Sequence, residues 1–188
     1  MSPTLRCTGA ARLRPNSARY TRSAGMSPQS LTDGLSTSDV KFLNIVKDFG
    51  WHVMKVAPRV GDEERLWAYS TGLYYSYGHP EILMLNLQLD SMHEIINLIG
   101  ASVKKGKTFE PGKPYADILE RFNCSFQSVL PAYYEEYVEF SMWFYEGDSF
   151  PILQCFWPDT SNRFPWQPDC DADVRESQPQ LYLPPAVN

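Results

Sequence analysis

The sequence lacks most of the one-dimensional signatures of chemistry. It has no CxxC pair, and the four cysteines, Cys7, Cys124, Cys155 and Cys170, match no zinc spacing. It has no GxSxG, which excludes the serine-hydrolase elbow. Gly72 and Gly78 stand alone and neither opens a helix after a strand, so nothing resembles a phosphate-binding loop. Histidine is scarce, and no two of His52, His79 and His93 are spaced to share a helical face. Asp169-x-Asp171-x-Asp173 resembles part of a calcium loop, but it lacks the sixth-position glycine, and the acid that follows is Glu176 at position eight. No metal and no cofactor is therefore expected. No apolar run approaches the ~20 residues that span a bilayer, so no membrane partner is expected either.

What is present suits one domain. The chain has 188 residues, 43% of them hydrophobic, enough to bury a core without disulfide or metal. Aromatics reach 14% and proline 15 residues, and that much proline argues against a mostly helical protein. Charge is uneven. Residues 1–25 hold Arg6, Arg12, Arg14, Arg19 and Arg22 and no acid, which leaves 12 basic against 22 acidic side chains in the rest. An acidic body repels phosphate backbones, so nucleic acid is not an expected partner. The Arg- and Ser-rich start has the composition of a transit peptide, yet Met26 begins a second plausible start and the preceding residues read more simply as an upstream extension. Residues 1–35 are expected to be disordered and 36–188 to form a single α+β domain. Reduced cysteines fit a cytoplasmic location.

Periodicity supplies the elements. Phe42, Ile45, Val46 and Phe49 recur at helical spacing after Ser38, and Gly50 stops the pattern, predicting a helix over 39–49. Trp51–Ala57 alternates as a strand, and Leu66–Leu73 reads as a second strand after a charged turn at 61–65. Residues 74–80 read as a loop broken by Gly78 and Pro80, and 81–87 as a strand covered on both faces. Asp90 or Ser91 caps a helix to Lys105 whose buried stripe is Met92, Ile95, Ile96, Ile99 and Val103. Residues 115–130 predict two strand pieces, and Pro131 opens a helix with Tyr134, Tyr137, Val138, Ser141 and Met142 on one side. Ile152–Trp157 is a last strand, followed by an irregular, proline- and aromatic-rich C-terminal wrap. This order predicts an α+β fold, a mostly antiparallel sheet with about three helices packed on one face.

Several separate stretches carry a family resemblance. They are Gly50-Trp51-His52-Val53, then Ala68-Tyr69-Ser70-Thr71-Gly72-Leu73 running into Tyr77-Gly78-His79-Pro80-Glu81-Ile82, and Trp143-Phe144-Tyr145. Gln154, Trp157-Pro158-Asp159, Arg163-Phe164-Pro165-Trp166 and Gln178-Pro179 complete the set. Over residues 39–183 the chain resembles the bacterial family catalogued as domain of unknown function 4262. The resemblance implies a small bacterial cytoplasmic protein. It implies no activity, substrate, cofactor or residue role.

The residues themselves suggest candidates. His79 and Glu81 flank Pro80 just before a buried strand and would set an imidazole and a carboxylate at a sheet edge; alternatively His79 fixes the turn by a hydrogen bond. Cys155 would be a nucleophile if a histidine lay near it, and is otherwise a small core residue. Trp157, Asp159, Arg163 and Trp166 are the types that recognise ligands or partners, or else a turn that pins the C-terminal wrap. Tyr69, Tyr74, Tyr75 and Tyr77 would line a pocket or belong to the core. Three functions follow. The first is a non-enzymatic interaction module of immunity or accessory type, whose acidic surface meets a basic protein partner. The second is a small hydrolase-like enzyme using His79 with Glu81, Asp159 or Cys155. The third is a sensor holding a small aromatic or apolar ligand.

Overall fold

A capping box begins the structure, a computed structural model that describes residues 36–58 and 65–185. The expected disorder of 1–35 and most of the charged turn at 61–65 lie outside the described residues. Ser36 Oγ accepts from Asp39 N–H at 3.2 Å and the Asp39 carboxylate accepts from Ser36 N–H at 2.9 Å, so α1 (Thr37–Phe49) starts two residues earlier than Ser38 would set it. Gly50, at φ +105°, ends it.

Among the described residues six strands follow: β1 (His52–Val56), β2 (Trp67–Thr71), β3 (Glu81–Leu85), β4 (Pro114–Leu119), β5 (Phe122–Ser128) and β6 (Ile152–Phe156). They form one sheet in the order β1-β2-β3-β6-β5-β4. Every neighbouring pair is antiparallel except β3 and β6, which run parallel with Glu81 opposite Ile152. The fold is therefore α+β with a mostly antiparallel sheet, and the two central strands are fully buried as their continuous apolar composition requires.

The helices cover both faces, not one. On the first face α3 (Leu89–Lys104) lays Met92, Ile95, Ile96, Ile99 and Val103 against Val53, Ala68, Ile82, Met84, Leu153 and Phe126. On the second, Tyr69, Leu83, Leu85 and Ile152 meet Tyr134, Tyr137, Val138 and Leu181. Those tyrosines belong to α4 (Tyr134–Tyr137), which follows a 3₁₀ turn at Pro131–Tyr133 and leads into α5 (Glu139–Tyr145). The period-2 alternation of each strand sends apolar residues both ways, so a single helical layer would leave one of these sets in water.

Three local readings change. Residues Leu73–Tyr77 form a single-turn helix, α2, between Gly72 and Gly78, which both adopt positive φ. Gln88 precedes α3, so neither Asp90 nor Ser91 caps it. The C-terminal wrap contains α6 (Ala172–Ser177), started by Asp171, whose side chain accepts from Asp173 N–H. The rest of the wrap is tied by two glutamines. Gln154, mid-strand in β6, donates to Pro179 O at 2.8 Å and accepts from Leu181 N–H at 3.1 Å. Gln178 accepts from Trp157 N–H and donates to Trp157 O, imitating a strand pairing with a side-chain amide. Among the described residues no helix is long and apolar enough to cross a membrane.

Candidate functional site

His79 sits at the entrance to β3 and is buried. Its Nε2 accepts from Phe109 N–H at 3.1 Å, which places the proton on Nδ1, and Nδ1 donates to Pro80 O at 2.7 Å. Both ring nitrogens are thus occupied by backbone, and the imidazole bridges the 106–113 loop to the start of β3. Burial holds its pKa below the ordinary 6.5, against the pull of the Pro80 carbonyl. His52 is lowered too, by burial and by the nearby His93. The unfolded chain takes up these protons first, so stability is full above pH 6.5 and falls as the pH drops from there toward the folded-state pKa values. Chemical denaturation across pH 5–7 is expected to show this decline in the wild type and a shallower one in His79→Gln; equal slopes would contradict the assignment.

Glu81 is two residues along and faces the other side of the sheet. It is 1% exposed, and four donors converge on it. Ser70 Oγ donates to Oε2 at 2.5 Å. Gly72 N–H at 2.8 Å, Tyr74 N–H at 3.0 Å and the Tyr145 hydroxyl donate to Oε1. The two hydroxyls have their own backbone donors: Ile82 N–H reaches Ser70 Oγ at 2.9 Å, and Gly72 and Tyr75 N–H reach Tyr145 at 3.3 and 3.2 Å. Each hydroxyl therefore has its single proton left for the carboxylate, an arrangement that suits the ionised form. Burial pushes the Glu81 pKa up while the four hydrogen bonds pull it down, and burial wins. Burial and the Glu81 charge push Tyr145 up as well.

Asp159 lies beyond the other end of β6, in the turn that begins the C-terminal wrap. Its side chain is 2% exposed. Oδ1 accepts from Ser161 and Arg163 N–H at 2.8 and 2.9 Å, and Oδ2 from Arg163 Nε and Asp171 N–H at 2.9 and 3.1 Å. Burial alone would raise this carboxyl, but the donors together keep it below the usual range. Phe164 and Trp166 stack nearby at 4.9 Å, with Phe156 edge-on to Trp166. Trp157 donates its indole N–H to Leu85 O and packs against the core.

The candidate residues accordingly do not gather. His79 and Glu81 point to opposite faces, and the Asp159–Arg163 pair is at the far end of the strands. Cys155 is mid-strand and buried, and burial together with the adjacent Cys124 thiol pushes its pKa well up, the reverse of what a nucleophile needs. Tyr69 is core, its hydroxyl pushed up to about 12 by burial, and Tyr77 packs edge-on to Trp51. Among the described residues no group of three or more His, Cys, Asp or Glu is placed to hold a metal. Every buried side-chain nitrogen and oxygen among them has a partner.

Large aromatic rings reach the surface beside α1, α2 and α5. Phe42 of α1 is edge-on to Phe140 at 4.6 Å, to Phe144 at 5.5 Å and to Trp143 at 6.4 Å. Tyr75 of α2 is edge-on to Phe144 at 5.8 Å. Tyr75 and Trp143 are 45% and 42% exposed, on top of a cluster whose floor, Phe42, is buried. Glu81 lies beneath, binding α2 through its N–H groups and α5 through Tyr145. Sequence reading missed this arrangement, although extending the stripe Tyr134, Tyr137, Val138, Ser141 by four residues reaches Tyr145.

A family model described as Domain of unknown function (DUF4262) matches residues 45–171. No curated protein and no solved structure matches the chain.

Proposed function

The chain belongs to the Domain of unknown function (DUF4262) family, and we propose that this protein acts as a non-enzymatic binding module of the bacterial cytoplasm, working through a protein partner. One observation carries the reading. The side chains with the chemistry for catalysis, His79, Glu81 and Asp159, are buried and saturated by internal donors and acceptors, whereas large aromatic rings stand exposed. A general base must reach a substrate proton, and a side chain whose lone pairs already hold backbone N–H groups does so only by breaking the fold locally. Exposed Trp and Tyr set on a rigid floor are the usual anchors of protein interfaces. The free thiols of Cys124, Cys155 and Cys170 fit a reducing compartment.

Affinity capture of the tagged chain from its source organism, with cross-linking and quantification, is expected to return a stoichiometric protein partner. Finding none at any growth stage would remove the proposal. So would turnover of an ester, amide or phosphoester by the pure protein that disappears in His79→Gln.

A further inference from the structure

We propose that the face built by α1, α2 and α5 docks a basic segment of a partner protein, with Tyr75 and Trp143 taking its apolar and guanidinium groups and the acids of α4 and α5 taking its charge. This deepens the binding reading above and rests on it.

Charge selects the partner. Residues 122–162 contain no Lys, Arg or His but six acids. Asp159 is buried, while Glu135, Glu136, Glu139, Glu146 and Asp148 are exposed around α4 and α5. On α1, Asp39 and Asp48 are matched by Lys41 and Lys47, so the bias comes from the α4–α5 side. Arg65, just before β2, donates to the Tyr137 hydroxyl at 3.3 Å. Acids flanking exposed rings favour an arginine- or lysine-bearing segment twice over, by Coulomb attraction and by cation–π contact with Trp143. The same charge disfavours nucleic acid and anionic membranes. It also disfavours a second copy, because a two-fold pairing would set these acids against themselves.

Preorganisation supports the choice. Ring contacts from Phe42 fix Trp143 and Phe144, and the buried Glu81 joins the N-terminal donors of α2 to Tyr145 of α5. Thr71 and Ser141 hydroxyls, 2.6 Å apart, add a second buried tie between the sheet and α5. A face held this rigidly loses little entropy on binding.

The test uses the full chain and a short fluorescent peptide alternating arginine with leucine. Binding is expected to weaken about tenfold or more in Tyr75→Ala/Trp143→Ala and by a similar factor in Glu136→Lys/Glu139→Lys. It should also weaken as salt rises from about 50 to 500 mM. Replacing the peptide's arginines with glutamate should abolish binding, and hydrogen exchange should slow at 73–77 and 139–146. Both double variants change exposed residues and should keep the wild-type circular dichroism, with a modest loss in melting for Tyr75→Ala/Trp143→Ala from the ring contacts removed. Equal peptide affinity in natively folded variants would overturn the proposal, as would equal binding of the glutamate peptide. So would a dimer that Trp143→Ala disperses, or an intramolecular contact of residues 1–25 that blocks the peptide. A cellular partner captured equally by wild type and Tyr75→Ala/Trp143→Ala would sink this face and leave the binding reading standing. Absence of any partner would remove both.

Discussion

Glu81→Ala is expected to lose about 3–5 kcal/mol of folding stability, a large part of the 5–15 kcal/mol typical of a domain. The side chain is fully enclosed, and its removal strands the Ser70 and Tyr145 hydroxyls and the Gly72 and Tyr74 N–H groups without an acceptor. Each buried donor left unmatched costs about 1–3 kcal/mol, and partial re-pairing or an admitted water limits the sum. Glu81→Gln should lose less, since it retains one carbonyl acceptor and the volume. The pH dependence of the difference has a definite sign. With the folded pKa above the ordinary 4.5, the unfolded chain ionises first as pH rises. The wild type's margin over Glu81→Gln should therefore shrink from pH 4.5 up to the folded-state pKa and stay level beyond it. Urea titrations of the three proteins measure all of this. A loss below about 1 kcal/mol in Glu81→Ala would mean that the carboxylate is not the tie between α2 and α5.

That tie shows where sequence reading succeeds and where it stops. The alternation in 51–57, the short run at 66–73 bounded by a charged turn and Gly72, and the apolar run from Glu81 identify β1, β2 and β3, because a half-buried or buried strand marks composition directly. The stripe from Met92 to Val103 places α3 for the same reason. The antiparallel majority of the sheet followed from strands arriving in runs. The second layer did not, since α4 and α5 are short and the contacts that bury them come from residues far apart in the chain. Glu81 reads as a candidate at a sheet edge because a carboxylate beside a histidine invites that reading; only the register that sets Glu81 at the start of β3, against Gly72, Tyr74 and Tyr145, turns it into a buried anchor. His79 in sequence admits both chemistry and turn-fixing, and its two backbone partners favour the second. Tyr74–Tyr77 read as loop because five residues between two glycines carry no period; the carboxylate that caps their helix enters seven residues later. Gln154 has no role legible from its neighbours alone, yet a glutamine inside an apolar strand run is a sign of a backbone to be satisfied.

Gly72→Ala is expected to destabilise by about 3–5 kcal/mol, and Gly50→Ala by about 1–2 kcal/mol, although both glycines sit in the same φ region. Gly72 has φ +114° and Gly50 φ +105°, so each alanine carries the strain of a conformation that a Cβ opposes. The difference lies in what the new Cβ meets. At Gly72 it comes within 2.8 Å of Val46 Cγ1, 2.9 Å of the Gly50 carbonyl oxygen and 3.0 Å of Trp51 Cα. Those backbone atoms cannot yield cheaply, because the Gly50 carbonyl accepts from Ser76 Oγ at 2.7 Å and Trp51 is anchored through its indole N–H to Asn97 at 2.9 Å. Moving Gly72 instead pulls its N–H off Glu81 and disturbs the carboxylate network that holds α2 to α5. At Gly50 the Cβ meets the hydroxyl end of Tyr77, a side chain held by a 3.4 Å bond to Phe49 O and by its edge-on contact with Trp51, whose far end yields more cheaply than backbone. Thermal and urea unfolding of the two variants should rank them in this order, and Gly72→Ala alone should also weaken capture of the arginine–leucine peptide through a shifted Tyr75. Reversal of the ranking would mean that the Gly50–Trp51 backbone is softer than its hydrogen bonds imply, and the rigid floor argued for the aromatic face would lose its support.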